Sequence, residues 1–207
     1  MKSELASLSP GDEARVRRAF GALKQRGVEP FFVPDRRAAL SCVLGLLPLG
    51  ANVAHGHSTT LEQIGLVDHL RQPESGYRYL NDEWQAEDDP RERHRLRARL
   101  SLEADYYLGS VQAVCESGEA VGADATGSRQ AFYIYGPPTL IWVAGINKLV
   151  PTLEDGLRRT RQVALALEDQ RMKRLGRSGS VIGKLVIYER QSPGRTTLIL
   201  VGEPLGY

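Results

Sequence analysis

Residues 139–145 read Thr-Leu-Ile-Trp-Val-Ala-Gly, a near-continuous apolar run of strand length. A strand with one face in water alternates apolar and polar side chains, and this one does not. It is therefore expected to be covered on both sides, as strands of parallel sheets are. Upstream, Asn52-Val53-Ala54 reads as a second buried strand that runs through Gly56-His57-Ser58-Thr59-Thr60 into a helix beginning Leu61-Glu62-Gln63-Ile64. Further upstream, Glu29 to Pro34 is a short apolar strand, after which Asp35 caps a helix through Leu47, ended by Pro48 and Gly50. Ser9-Pro10 with Asp12 and Glu13 opens an amino-terminal helix whose Val16, Phe20 and Leu23 share one face, and Gly27 stops it.

Downstream, Arg71 to Asp89 is polar and lacks periodicity, which reads as an ordered surface excursion. Asp89-Pro90 starts a solvated helix whose arginines, from Arg91 to Arg99, recur every second residue and so scatter around its circumference. Ala104 to Leu108 forms a short apolar strand, and Glu116-Ser117-Gly118-Glu119 a turn. Leu153 to Met172 is helical by periodicity, with Leu157, Val163, Ala164 and Leu167 inward. Lys184 to Arg190 and Thr196 to Val201 are strands joined across Gln191-Ser192-Pro193-Gly194-Arg195, which predicts a terminal hairpin. Strands alternating with helices give an α/β fold: a three-layer, open, mostly parallel sheet with a C-terminal antiparallel hairpin at its edge. In such sheets ligands gather beyond the carboxyl ends of the strands, here the loops after Ala54, Leu108 and Ala144.

The chain of 207 residues is 42% hydrophobic and 25% charged, the profile of one globular domain. Its 27 basic and 25 acidic residues leave a net charge of +2, too little to recruit nucleic acid over long range. Two cysteines, Cys42 and Cys115, in apolar contexts are too few for a disulfide framework. No long apolar run follows a basic start in Met1 to Pro10, and no stretch is long enough to span a membrane. A cytoplasmic protein is expected.

Four loops carry residue types suited to chemistry. Gly56 to Thr60 offers backbone N–H groups and hydroxyls to an anion, although Thr59-Thr60-Leu61-Glu62 equally fits a capping box that serves the helix alone. His55 and His57 point to opposite sides of an extended chain, so no metal site is expected there. Asp105, at the start of a short strand, and Glu116, in the next turn, are general bases if burial raises their pKa, and otherwise a turn cap and a solvated acid. Ala125-Thr126-Gly127-Ser128-Arg129 combines hydroxyls, a glycine and a guanidinium suited to carboxylate or phosphate, or is an ordinary polar turn. Asn147-Lys148 places an amide and a cation after the most hydrophobic strand, where the lysine either meets a ligand or snorkels from the sheet edge. The Rossmann glycine fingerprint is missing from the Gly56 turn, which argues against a nicotinamide enzyme.

Taken in order, Gly56 to Gly65, Ala104-Asp105-Tyr106-Tyr107-Leu108 through Cys115-Glu116-Ser117-Gly118, Thr126-Gly127-Ser128-Arg129 leading to Tyr135-Gly136-Pro137, Val143 to Val150 and the ending Val201 to Tyr207 resemble the LUD (lactate utilisation) domain family. The resemblance is collinear from about Val28 to the last residue, which divides the chain into an amino-terminal helix over 1–27 packed on a single LUD domain over 28–207. It implies the fold of the sugar-phosphate isomerase and CoA-transferase-like (NagB/RpiA-like) group, and a link to lactate oxidation to pyruvate beside an iron–sulfur oxidoreductase partner. On this reading a small anionic metabolite sits among Gly56, Ser58, Thr60, Thr126, Gly127, Arg129, Asn147 and Lys148, with Glu62, Asp105 and Glu116 as acid or base. The alternatives are a non-catalytic subunit that docks the iron–sulfur protein, and a sugar-phosphate isomerase or transferase-like enzyme. Relatives of this short type often carry a cysteine-rich segment before the last two strands. Here Arg171 to Ser180 has no cysteine, so no intrinsic cofactor is expected and a cluster is assigned to a partner. Ser128 and His57 also depart from the asparagine and glycine usual in that family.

Overall fold

The computed structural model describes residue 5 and residues 8–207. The reading of Met1 to Pro10 as free of an export segment falls in part outside them. Among the described residues, no helix is long and apolar enough to cross a membrane.

The first helix, α1 (Pro10–Gln25), starts where Ser9 accepts a hydrogen bond from the Asp12 N–H, and buries Val16, Ala19, Phe20 and Leu23. β1 (Val28–Val33) leads to α2 (Arg36–Leu46), capped by the Asp35 carboxylate on the Ala38 N–H. β2 (Asn52–His55) runs into α3 (Thr59–Gln63) and α4 (Leu66–Leu70). The 71–89 excursion is ordered and adds to the sheet: a single 3-10 turn (Pro73–Ser75) precedes β3 (Arg78–Tyr79) and α5 (Leu80–Gln85). α6 (Pro90–Glu103) and β4 (Tyr106–Gly109) follow. The chain then leaves the main sheet for β5 (Ala113–Cys115) and β6 (Ala120–Asp124), joined by the Glu116–Glu119 turn, and returns through α7 (Gln130–Ile134) and β7 (Thr139–Gly145). β8 (Leu149–Val150), α8 (Leu153–Arg159), α9 (Leu165–Arg174), β9 (Lys184–Tyr188) and β10 (Thr196–Val201) complete it.

The main sheet has six strands in the order β1-β10-β7-β4-β2-β3, every pair parallel. The 139–145 run lies inside it, between β10 and β4. Side chains of β7 alternate between two cores: Leu140, Trp142 and Ala144 join α1, α5, α6 and α7 on one face, Ile141 and Val143 join α2, α3 and α4 on the other. That explains an apolar run without polar alternation. A smaller mixed sheet, β8-β5-β6-β9, packs with α8 through Ala113, Cys115, Val121 and Leu157.

The expected C-terminal hairpin does not form. β9 pairs antiparallel with β6 at the edge of the small sheet, whereas β10 inserts parallel between β1 and β7 in the large one. The 191–195 segment has hairpin-like turn residues, with Gly194 at φ +81°, but turn chemistry does not dictate that its flanking strands pair with each other. The helix expected over 153–172 is interrupted by a π turn at Thr160–Ala164. One extra residue in a turn rotates everything after it, so Ala164 is buried as expected while Val163 and Leu167 face outward.

Candidate functional site

At the carboxyl ends of the central strands, connections diverge: β2 leads outward to β3, whereas β4 leads, through the small sheet, to β7 on its other side. Such a reversal leaves a crevice between neighbouring loops. A cleft of about 540 Å³ opens there, floored by the loops after β2, β4 and β7 and walled by the small sheet, the π turn and α9.

Lys148 lies at its base, 2% exposed. The 3-10 turn Ile146–Lys148 after β7 turns it inward, and its Nζ donates to Ser110 Oγ at 2.9 Å and Thr60 Oγ1 at 3.0 Å. No carboxylate pairs with it among the described residues. Burial, then the nearby Arg159 and Arg129 charges, holds its pKa well below the ordinary lysine value. Ser110 follows β4 directly, and Thr60 is in the first turn of α3, whose cap is the Ser58 hydroxyl on the Leu61 N–H at 3.3 Å; the expected Thr59 box is not the one used. Gly206 packs against the same group: a Cβ there, at φ +58°, would stand 2.2 Å from Thr60 Oγ1 and 3.0 Å from Lys148 Nζ.

The rest of the lining is predominantly basic, with Arg97, Arg129, Arg171 and Arg177 against Asp124 and Glu168. Both acids are engaged. Asp124 accepts from the Thr126 and Arg129 N–H groups at 3.1 and 3.0 Å. Glu168 accepts from Arg171 at 2.7 and 2.8 Å and from the Tyr207 hydroxyl. Burial alone would raise the Glu168 pKa, but those bonds outweigh it and hold the acid ionised. Arg129 is fixed by the carbonyls of His57 (3.0 Å) and Ala123 (2.7 Å), and its stem crosses Gly56 so closely that a Cβ would come within 2.8 Å of it. Its Nε–H and that of Arg97 are buried without an acceptor.

His57 lines the mouth of the cleft, 3.3 Å from Glu62, with its pKa lowered by burial and by Arg171. His55 points the other way: its ring bonds Tyr79 Oη at 2.6 Å and the Gly56 carbonyl at 2.7 Å, and burial lowers its pKa to about 4. Among the described residues no group of His, Cys, Asp and Glu is arranged to hold a metal ion.

Of the residues singled out from sequence, the fold gathers Ser58, Thr60, Arg129 and Lys148 in the cleft, with Gly56 beneath Arg129. Glu62 stays on the outer rim with His57. Asn147 clamps the last residues instead, through the Leu205 N–H (3.0 Å) and the Gly206 carbonyl (3.3 Å). Thr126 and Gly127 shape the turn before Arg129, Gly127 at φ +90°. Asp105 precedes β4 and binds Asn52 N and Nδ2 at 2.8 and 2.9 Å, at the amino end of the sheet and so about 13 Å of strand from the rim. Glu116, in the β5–β6 turn, holds Arg15 (2.7 Å) and Arg18 (2.7 and 2.9 Å) of α1. Burial would raise its pKa, yet the two guanidinium groups bring it below the ordinary value, the reverse of a general base. Ser110, Glu168, Arg171 and Tyr207 were not singled out. Ser110 sits directly in the loop after β4, where the carboxyl-end rule points; the others come from helices and a terminal segment whose approach depends on tertiary packing.

This is an α/β protein of the kind that places a basic cleft at a strand-order reversal. The chain belongs to the LUD domain family, whose model matches residues 16–201. The fold is similar to the crystal structure of a DUF162 family protein from Deinococcus radiodurans, with a TM-score of 0.55 at 14% identity over 94% of this chain and 99% of that one. No curated protein matches the chain.

Proposed function

We propose that the cleft binds a small anionic metabolite, a carboxylate of the lactate and pyruvate class, and that the protein serves lactate utilisation. The observation that carries this is Lys148, a buried amine without a carboxylate partner at the base of a basic cleft. Burial without a counter-charge favours the uncharged amine, and the guanidinium groups around it supply the positive field that a ligand carboxylate answers. Removing an electron pair from a 2-hydroxy acid needs an acceptor that side chains of this cleft do not supply, so the reading assigns it to a partner, an iron–sulfur oxidoreductase. The isomerase or transferase-like reading is less favoured, because it calls for a free carboxylate and both lining acids are engaged.

A thermal-shift series with lactate, pyruvate and a sugar phosphate tests this. Ligand at about a hundred times its Kd adds about 2.7 kcal/mol, which for a chain of this size moves the midpoint by about 5–10 °C. Stabilisation by lactate or pyruvate that is absent in Lys148→Met is the expected result. Stabilisation by the sugar phosphate alone would favour the other reading, and no shift with any of them contradicts the proposal.

A further inference from the structure

We infer that Lys148 is a nucleophile that forms a reversible imine with the carbonyl of a 2-oxo acid held in the cleft; this rests on the anion-binding reading above. Three observations meet at one atom. Nζ is enclosed by protein, it borders a cavity large enough for a small metabolite, and its two protein partners are hydroxyls rather than carboxylates. A lysine paired with an acid is locked as an ammonium ion, whereas hydroxyls both accept from an ammonium and donate to a free amine. The surrounding Arg129 and Arg159 charges work in the same direction, favouring the uncharged form that attacks. Those guanidinium groups also supply the positive field that a 2-oxo acid's carboxylate needs, which selects this class over neutral aldehydes and ketones.

The step balances within the site. The Nζ lone pair adds to the carbonyl carbon, and the C=O π pair moves to oxygen. One N–H proton passes to that oxygen by way of the Thr60 or Ser110 hydroxyl, giving a neutral carbinolamine. Transfer of the second N–H proton to the departing hydroxyl releases one water and leaves the C=N bond. Thr60 Oγ1 donates to Ser110 Oγ at 3.4 Å, and Ser110 Oγ to the Val111 carbonyl at 3.4 Å, a short relay beside the amine.

Incubating the full chain with pyruvate and cyanoborohydride, followed by intact mass and peptide mapping, tests the inference. The expected result is one adduct per chain, the mass of pyruvate less one oxygen, on the peptide bearing Lys148, and none in Lys148→Met. Mapping in the native sequence locates the adduct even if that variant fails to fold. Lactate, which has no carbonyl, serves as the parallel thermal-shift ligand. Stabilisation by both acids with no adduct overturns the imine and leaves the anion-binding reading standing; no adduct and no stabilisation removes both. Adducts spread over Lys24, Lys173 and Lys184 without preference for Lys148 also overturn it.

Discussion

Among the described residues, Lys148 differs from the other lysines in having its ammonium removed from water without an acid to meet it. Because its pKa in the folded chain lies below the ordinary value of 10.5, between those two values the unfolded chain binds a proton that the folded chain does not. Stability contributed by this residue therefore rises with pH across that window, and below it the whole desolvation cost remains. Lys148→Met removes the effect. In urea unfolding of both proteins from about pH 7 to about pH 10, the variant is expected to be the more stable at the lower end, with the gap closing as pH rises; a constant gap would show an unshifted lysine. His55 titrates with the same sign in the acid range. Its folded pKa of about 4 against 6.5 means that stability is full above 6.5 and is lost as pH falls toward 4, by about 3 kcal/mol. His55→Gln is expected to flatten that part of the stability curve, whatever it does to stability at neutral pH. An unchanged acid limb in the variant would assign the loss to other groups.

Elements meet the cleft through close backbone approaches. Gly109 ends β4, and a Cβ on it would lie 1.6 Å from Tyr133 Oη, which donates to the Ser110 carbonyl at 3.1 Å. Gly109→Ala must displace Tyr133 from an aromatic cluster with Tyr107, Trp142 and Tyr188, and is expected to lose about 3 kcal/mol or more in denaturant unfolding. A loss below about 1 kcal/mol would mean that Tyr133 is not held there. Local chemistry made much of this legible in the sequence. Ser9 and Asp35 are caps that need only their own helices, and the 139–145 run declares its two covered faces. Lys148 and Thr60 followed from the rule that ligands gather at carboxyl ends, and Arg129 from the hydroxyls, glycine and guanidinium of its own turn. What stayed hidden was set by partners far along the chain. β10 fills a place between strands more than fifty residues away in sequence, β3 is two residues long, and the π turn changes a helix's phase without a proline or glycine to announce it. Asp105 lies close to a strand that carries the site, but on the side where that strand begins.

At the scale of the molecule, the two ends of the sheet have separate work. Its amino end and the α1 face are fastened by acids: Asp105 joins β4 to β2, and Glu116 joins the small sheet to α1. The carboxyl end carries the cations and hydroxyls of the cleft. Asp105→Ala and Glu116→Ala are accordingly expected to lower stability, by about 0.5–1.5 kcal/mol for the first and about 1–2 for the second once the solvent exposure of Arg15 and Arg18 is allowed for. Both are expected to keep wild-type affinity for pyruvate and lactate in calorimetric titration. A tenfold loss of affinity in either would extend the site to the far side of the molecule.

The location of the ligand decides the matter most directly, and crystals soaked in pyruvate or lactate would reveal it. Density for the acid against Lys148 Nζ, beside the Thr60 and Ser110 hydroxyls and with its carboxylate toward Arg129, is the expected result. An acid seated at Asp105 or Glu116, or a cleft left vacant at concentrations that stabilise the protein in solution, would contradict it.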